Sequence, residues 1–395
     1  MLSVLKFGGS SVATTEKILS IANYLKNRAS KGEKLIVVVS AMGKTTDSLL
    51  SLAHDLSSTP SKRELDQLLA VGEQTTIALL AIALNQLEIK SKSFTGAQAG
   101  IYTNSTHTKG KISKIDTTNL LKAFEEIDIA VVAGFQGVDK FRNTTTLGRG
   151  GSDTTAVALA ATFGVNAEIY TDVAGVYRTD PRIYPDAKKI DTISYDEMME
   201  MSALGAKIME MRSVELGKKY NVPIYVGKTL SIEGGTWIMP VNDSMEQRTI
   251  SAVALQENIL SVSISNFSNT YQGIAKIFEL LGSHHINVDM ITFDDSSLTF
   301  TLPLSELSLF VEVQNELSQL CPEIEIRCID SFSKVSVVGL GMRETSGVTG
   351  ELLSIFKKNK VPFHQITTSE ISISFTVNKE QAQEMVCKIC EHFQL

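Results

Sequence analysis

Short apolar runs alternate with helical patterns from the first residues to about position 240, and this alternation restricts the architecture more than any other feature. Leu2 to Phe7, Leu35 to Ser40, Ile129 to Ala133, Glu168 to Thr171 and Pro223 to Val226 read as strands. Strands separated by helices imply an α/β domain, a mainly parallel sheet sandwiched by helices. At 395 residues the chain also exceeds what one core supports, so further domains are expected. Between Met239 and Gln256 it turns polar, with Pro240, Asn242, Asp243 and Ser244. The first domain is therefore assigned to residues 1–240 and a linker to 241–257.

Beyond the linker an internal repeat emerges at an offset of 75 residues, pairing Ile277 with Leu352, Leu281 with Phe356, Ile286 with Val361 and Phe300 with Phe375. Each copy reads strand, glycine turn, helix, then two alternating strands, a βαββ unit. Two small α+β modules of ferredoxin-like type are expected, at 258–330 and 331–395. Gly339 and Gly341 resemble the start of a dinucleotide fingerprint, but the third glycine position is Glu344. They fit better as the opening of the second copy.

Composition removes several classes of function. No apolar run approaches the roughly 20 residues that span a bilayer, and Lys6 interrupts the N-terminal run before a secretory signal forms. Neither a membrane nor a nucleic acid is expected as partner, the second because the net charge is −7. Four cysteines are too few for a disulfide scaffold, and Cys387-x-x-Cys390 lies in a helical pattern without a second pair. The histidines form no cluster, so no metal held by protein alone is expected. A cytoplasmic location follows from these readings.

Four segments carry possible chemistry. Lys6 ends the first strand and precedes Gly8, Gly9, Ser10 and Ser11, which puts a cation and backbone amides before a helix, an arrangement suited to phosphate. Ser40 and Thr46 fall at the C-terminal edge of the second strand, where open α/β sheets bind ligands. Glu73 precedes the buried helical face of Ile77, Leu80 and Leu84, where a carboxylate needs a partner. In LGRGGSD, glycines surround Arg149, and Ser152 with Asp153 reads as a helix N-cap pair. That loop suits a carboxylate or phosphate. Asp153 beside Lys6 would hold the ammonium in place. Thr171, Asp172, Tyr177 and Arg182 follow another strand, and Lys207 begins what reads as a helix, where an anion would compensate its charge.

The ordered motifs KFGGSS, VVVSAMGKTTD, VGEQ, GRGGSD, YTDVAGVYRTDPR and GAKIM closely resemble those of the aspartate kinase family, an amino-acid-kinase fold followed by tandem ACT domains. The resemblance covers essentially the whole chain. It implies ATP- and Mg²⁺-dependent phosphorylation of the L-aspartate side chain, the first step toward lysine, threonine and methionine. It also implies Lys6 and Asp153 as catalytic residues, and Thr46, Glu73, Arg149 and Ser152 as the aspartate site. Lys6, Gly8, Gly9, Ser10, Ser40, Thr171, Asp172, Tyr177, Arg182 and Lys207 would bind the nucleotide.

An amino-acid effector, lysine or threonine, would sit near Gly273, Ile274, Ala275, Val288, Asp289, Asp294 and Asp295. The ACT modules would pair subunits into a homodimer or a dimer of dimers. Two departures stand out: Gly227-Lys228-Thr229-Leu230 replaces an Arg- or His-Ser stretch, and Asn269-Thr270-Tyr271-Gln272-Gly273 replaces an Asp-x-Pro-Gly turn. Alternatives are another acceptor (glutamate, acetylglutamate, carbamate or a nucleoside monophosphate) and a silent amino-acid sensor. Retention of Lys6, Arg149, Asp153 and Asp172 together speaks against the sensor.

Overall fold

A computed structural model describes residues 1–206, 208–241, 248–266, 271–294 and 297–395. They form two compact units. The first begins with β1 (Leu2–Phe7), α1 (Thr15–Ala29), β2 (Lys34–Val39), α2 (Thr45–Leu56), α3 (Lys62–Leu69), α4 (Val71–Gln86) and β3 (Ser91–Phe94). It continues through β4 (Ile101–Thr103), β5 (Ile112–Ile115), α5 (Thr118–Ala123), β6 (Ile129–Ala133), β7 (Gln136–Val138), β8 (Thr144–Thr146) and α6 (Gly151–Phe163). β9 (Ala167–Thr171), β10 (Thr192–Ile193), α7 (Tyr195–Ala203), α8 (Met211–Tyr220), β11 (Ile224–Lys228) and β12 (Thr236–Ile238) complete it.

The main sheet has the order β10-β12-β11-β9-β1-β2-β6-β3, and every pair but β11 with β12 is parallel. Parallel strands covered on both faces are apolar throughout, which is why their runs stand out in the sequence. Leu5, Phe7, Val37 and Val39 face a core closed by Ile18, Ile21 and Leu25 of α1 and by Ile77, Leu80 and Leu84 of α4. The alternate residues Val4, Ile36 and Val38 are equally buried on the α6 side. β1 lies between β9 and β2, in register from Phe7 to Val39 and to Tyr170. The ends of these strands therefore share one edge. A second, four-stranded sheet, β5-β4-β7-β8, was not anticipated.

α3 and α4 meet at Ala70, and Lys62–Gln86 is long and apolar enough to cross a bilayer by length and composition. More than half of its most apolar window, 56%, is buried inside the protein, and it carries the buried carboxylates Asp66 and Glu73. It is a core helix pair.

The second unit holds β13 (Ala252–Ser265), α9 (Tyr271–Ser283), β14 (Asp289–Phe293), β15 (Ser297–Pro303), α10 (Leu307–Leu320), β16 (Glu325–Val338), α11 (Val348–Asn359), β17 (Phe363–Thr368), β18 (Ser372–Asn378) and α12 (Lys379–Phe393). One sheet, β14-β15-β13-β16-β18-β17, serves both repeat copies. β13 and β16 run antiparallel along their length, with register shifts between Gln256 and Ser261, where Asn258 takes φ +57°. Beyond the shift Ile259–Ser265 pairs with β15, while Ala252–Gln256 pairs with the half of β16 that borders β18.

Residues 252–257, assigned to the linker from their polar surroundings, are thus strand. Residues 252–256 supply the fourth strand of the second module, which encloses the first module in the sequence. Val253 packs in the core of Val335, Val337, Phe356, Phe375 and Val386, separate from that of Val262, Ile277, Phe300 and Phe310. Tyr177–Lys188 also groups with this unit, although the sequence reading gave it to the first domain. Val253 N–H donates to Arg178 O (2.7 Å), and Lys188 Nζ donates to Gln394 O (2.7 Å). The four cysteines are free thiols, and burial pushes the Cys390 thiol up to about 12.

A Val253→Asp substitution places a charge in the second core and is expected to cost about 3 kcal/mol or more. Hydrogen exchange should quicken in α11, α12 and β18, which lie roughly a hundred residues downstream, while α9 and α10 keep their protection.

Candidate active site

A cavity of about 250 Å³ opens at the C-terminal edge of the main sheet. Lys6 and Gly9 reach it from β1, Ser40 and Thr46 from the β2–α2 connection, Glu73 from α4, and Arg149, Ser152 and Asp153 from the glycine loop and the start of α6. These eight expected residues come from four distant segments. The cavity forms because parallel strands end on the same side.

Lys6 is 8% exposed and Asp153 9%. Lys6 Nζ lies 2.6 Å from Asp153 Oδ1, an ion pair in which Oδ1 has no donor in hydrogen-bonding geometry. Asp153 stands in the first turn of α6, where the helix dipole favours a negative charge. The ammonium is folded back over the turn, so that a Cβ at Gly8 would come within 3.4 Å of it. Gly8 itself anchors the turn, its N–H donating to Tyr170 O and its carbonyl accepting from Ser11 and Val12.

Glu73 is 3% exposed. Its Oε1 accepts the Ala41 N–H at 3.0 Å, while Oε2 has no partner among the described residues. Burial pushes its pKa up to about 7, against the opposing hydrogen bond from Ala41. An unpaired carboxylate oxygen facing a polar cavity is suited to an ammonium.

Arg149 is exposed on the loop between β8 and α6. Ser152 and Asp153 were expected as N-caps, but α6 starts at Gly151 and both lie inside its first turn. The cap is Gly150 at φ +65°, where a Cβ would fall 2.3 Å from Glu210 Cβ. A glycine is therefore required here both by conformation and by space. Gly43 also lines the cavity, as its place after the second strand suggests, and so do Ala41 and Phe135, which were not foreseen as site residues. Phe135 takes a positive φ of +67° with Leu147 N–H bonded to its carbonyl, a feature that is invisible in sequence.

Several expected residues do not line this cavity. Ser10 is exposed and its carbonyl accepts from Lys17 Nζ at 2.8 Å. Thr171 ends β9, donates from Oγ1 to Asp172 Oδ1 (3.0 Å), and accepts on its carbonyl from Thr229. Tyr177 and Arg182 belong to the second unit, where Arg182 pairs with Asp180 at 2.6 Å. Lys207 lies outside the described residues. The departure at residues 227–230 has a structural use, since Thr229 Oγ1 lies 2.6 Å from Ser11 Oγ and ties the β1 turn to β9.

Of the expected effector residues, Gly273, Ile274 and Ala275 lie near the start of α9, Val288 precedes β14 and Asp289 opens it. Partial burial pushes the Asp289 carboxyl up, but the Lys334 ammonium bonded to it holds it below the usual carboxylate range. Asp294 accepts from Ser297 N–H (2.7 Å) and Oγ (3.0 Å) in the β14–β15 turn, and Asp295 lies outside the described residues.

Residues 1–228 match the amino acid kinase family and residues 335–393 match the ACT domain. The chain belongs to the amino acid kinase family. Aspartokinase 2 of Bacillus subtilis is 41% identical over 400 residues, covering 100% of this chain and 98% of the relative. Aspartokinase of Corynebacterium efficiens is 39% identical over 405 residues, covering 100% and 96%. The crystal structure of E. coli aspartokinase III in complex with aspartate and ADP superposes with a TM-score of 0.83 at 25% identity, covering 100% of both chains. Within its family the chain is accordingly one of the aspartokinases.

Glu73 gives a pH signature. Its carboxyl holds a proton more tightly when folded, at about 7, than at its ordinary value of 4.5, so stability falls as pH rises between these values. Relative to Glu73→Gln, the wild type should lose up to ~3 kcal/mol between pH 5 and 8. Urea unfolding of both proteins at the two pH values measures it, and parallel curves would remove the buried-carboxyl assignment.

Proposed function

We propose that the chain transfers the γ-phosphoryl group of ATP to the side-chain carboxylate of L-aspartate, giving 4-phospho-L-aspartate. The observation that carries this reading is the convergence of Lys6, Asp153, Glu73 and Arg149 on one cavity. Glu73 takes the substrate ammonium on Oε2, and Arg149 takes a carboxylate as a guanidinium fork. Thr46 and Ser152 supply hydroxyls beside them. That division leaves the second substrate carboxylate directed toward Lys6.

Phosphoryl transfer asks little covalent work of a protein, so positioning and charge neutralisation dominate. Lys6 meets the charge that builds on the transferring group, and Asp153 fixes the ammonium so that no reorganisation is needed during the step. Gly8, Gly9, Ser10 and Ser40 offer polar groups of the β1 and β2 turns to the phosphates. Thr171 and Asp172 at the end of β9, together with Tyr177, Arg182 and Lys207, are the proposed nucleotide contacts. Among the described residues no group of three His, Cys, Asp or Glu side chains fits a metal ion by itself. Mg²⁺ would therefore be held chiefly by the nucleotide phosphates, with carboxylates such as Asp172 assisting, and would neutralise phosphate charge there.

The ACT modules support feedback by lysine or threonine at the α9–β14 region. E. coli aspartokinase III, whose fold this chain shares, has been crystallised with lysine and aspartate. Paired modules would make a homodimer or a dimer of dimers, and the location would be the cytoplasm. The product would then lead to lysine, threonine and methionine.

Hydroxylamine trapping of the acyl phosphate tests the reaction. Hydroxamate should form with ATP, Mg²⁺ and L-aspartate but not with L-glutamate, and suppression by lysine or threonine would name the effector. Silence with every acceptor, alongside amino-acid binding by calorimetry, would favour a sensor instead. Lys6→Ala should lower kcat by about a hundredfold or more with little change in either KM. A kcat near wild type would make Lys6 structural.

A further inference from the structure

The loop that carries Arg149 is closed by the Gly151 N–H to Gly148 O hydrogen bond (3.0 Å), which does not reach the Arg149 side chain. Gly148 takes φ +79° and Gly150 φ +65°, and Arg149 between them is exposed. Something outside the loop must set where the guanidinium points, and the contacts lead to Asp66.

Asp66 lies on α3 and is 0% exposed. Its Oδ1 accepts from Thr146 Oγ1 (2.5 Å), its Oδ2 lies 2.8 Å from His107 Nδ1, and both oxygens accept from Thr108 N–H at 3.0 and 3.1 Å. A carboxylate withdrawn from water this fully survives because its lone pairs are filled. What it holds is unusual. Thr108 has φ +66°, a conformation that a β-branched residue avoids and that persists only when its surroundings impose it.

The Thr108 conformation matters because the Thr108 carbonyl forms the seat of Gly148. A Cβ at Gly148 would come within 3.2 Å of Thr108 O. Thr146, another partner of Asp66, is the last residue of β8, two positions before Gly148. From the opposite side Arg212 of α8 donates to Leu147 O and to Gly110 O, both at 2.9 Å, and Gly110 N–H donates to Thr146 O at 2.8 Å. The glycine loop thus rests on a base that on the α3 side includes the buried carboxylate of Asp66.

We infer that Asp66 is a positioning residue for aspartate binding, acting through Thr108 and Thr146 on the loop that aims Arg149. α3 runs into α4 through Ala70, whose carbonyl is held by Gln136 Nε2 at 2.9 Å. The same helix pair therefore carries Glu73 and orients Arg149, fixing the separation of the two groups that read the substrate's ammonium and carboxylate. This inference rests on the assignment of Arg149 to the substrate carboxylate.

The test is steady-state kinetics on Asp66→Asn, Thr146→Val and Thr146→Ser, with Arg149→Ala as reference and thermal melts to confirm folding. Asn offers one acceptor oxygen where three donors need two, so Asp66→Asn should raise the aspartate KM about tenfold, with kcat reduced less than about threefold and the ATP KM within about twofold. Thr146→Val should move the aspartate KM in the same direction, and Thr146→Ser should restore it. A purely structural role would instead lower kcat per milligram with the aspartate KM unchanged, and that result for Thr146→Val overturns the inference even if Asp66→Asn fails to fold. Arg149→Ala with a wild-type aspartate KM would overturn the carboxylate assignment itself and this inference with it.

Discussion

Lys6 and Asp153 are opposite charges withdrawn from water onto neighbouring elements, and neither could be buried without the other. Breaking such a pair leaves an uncompensated charge in a low-dielectric setting, a penalty of about 3–5 kcal/mol. The pair therefore fixes how the end of β1 meets the start of α6. With that junction set, Ser40 and the turn after β1 fall into place by strand register, and the glycine loop is drawn over the same edge. A contact required by electrostatics thus also shapes the cavity at that edge.

The α3–α4 pair places two carboxylates inside the first unit. Its two inward carboxylates are treated differently by their surroundings. Asp66 is saturated by hydroxyl, imidazole and amide donors, whereas Glu73 keeps one oxygen without a partner. Near-equal burial is thus accompanied by unequal satisfaction.

Much of this was legible in the chain. The strands β1 and β6 could be read to the residue because burial on both faces makes them continuously apolar, and the Lys6, Glu73 and Arg149 segments announced themselves by glycines and charges in apolar context. The start of α6 was misjudged because Ser152 and Asp153 look like caps, while Gly150 does that work by adopting a left-handed conformation. Asp66 was invisible. In KRELDQLL it resembles any solvated helix acid, and its partners lie forty to eighty residues away. The four strands of the small sheet are too short, at three or four residues, to leave a periodic signal. Strand 252–256 was lost to the linker for a related reason, since its partner in β16 begins some eighty residues later.

That last strand sets an order of events on the ribosome. Ala252–Gln256 emerges before any part of the first ACT module, yet its place is in the second, whose remaining strands are made last. The inner module can close as soon as its own residues are available. The outer one must keep an apolar strand waiting until its partner Lys334–Val338 is made, and its core stays open until α11, β18 and α12 follow. The two copies descend from one pattern but cannot fold as beads on a string, and the C-terminal helix α12 completes a structure begun about 130 residues earlier.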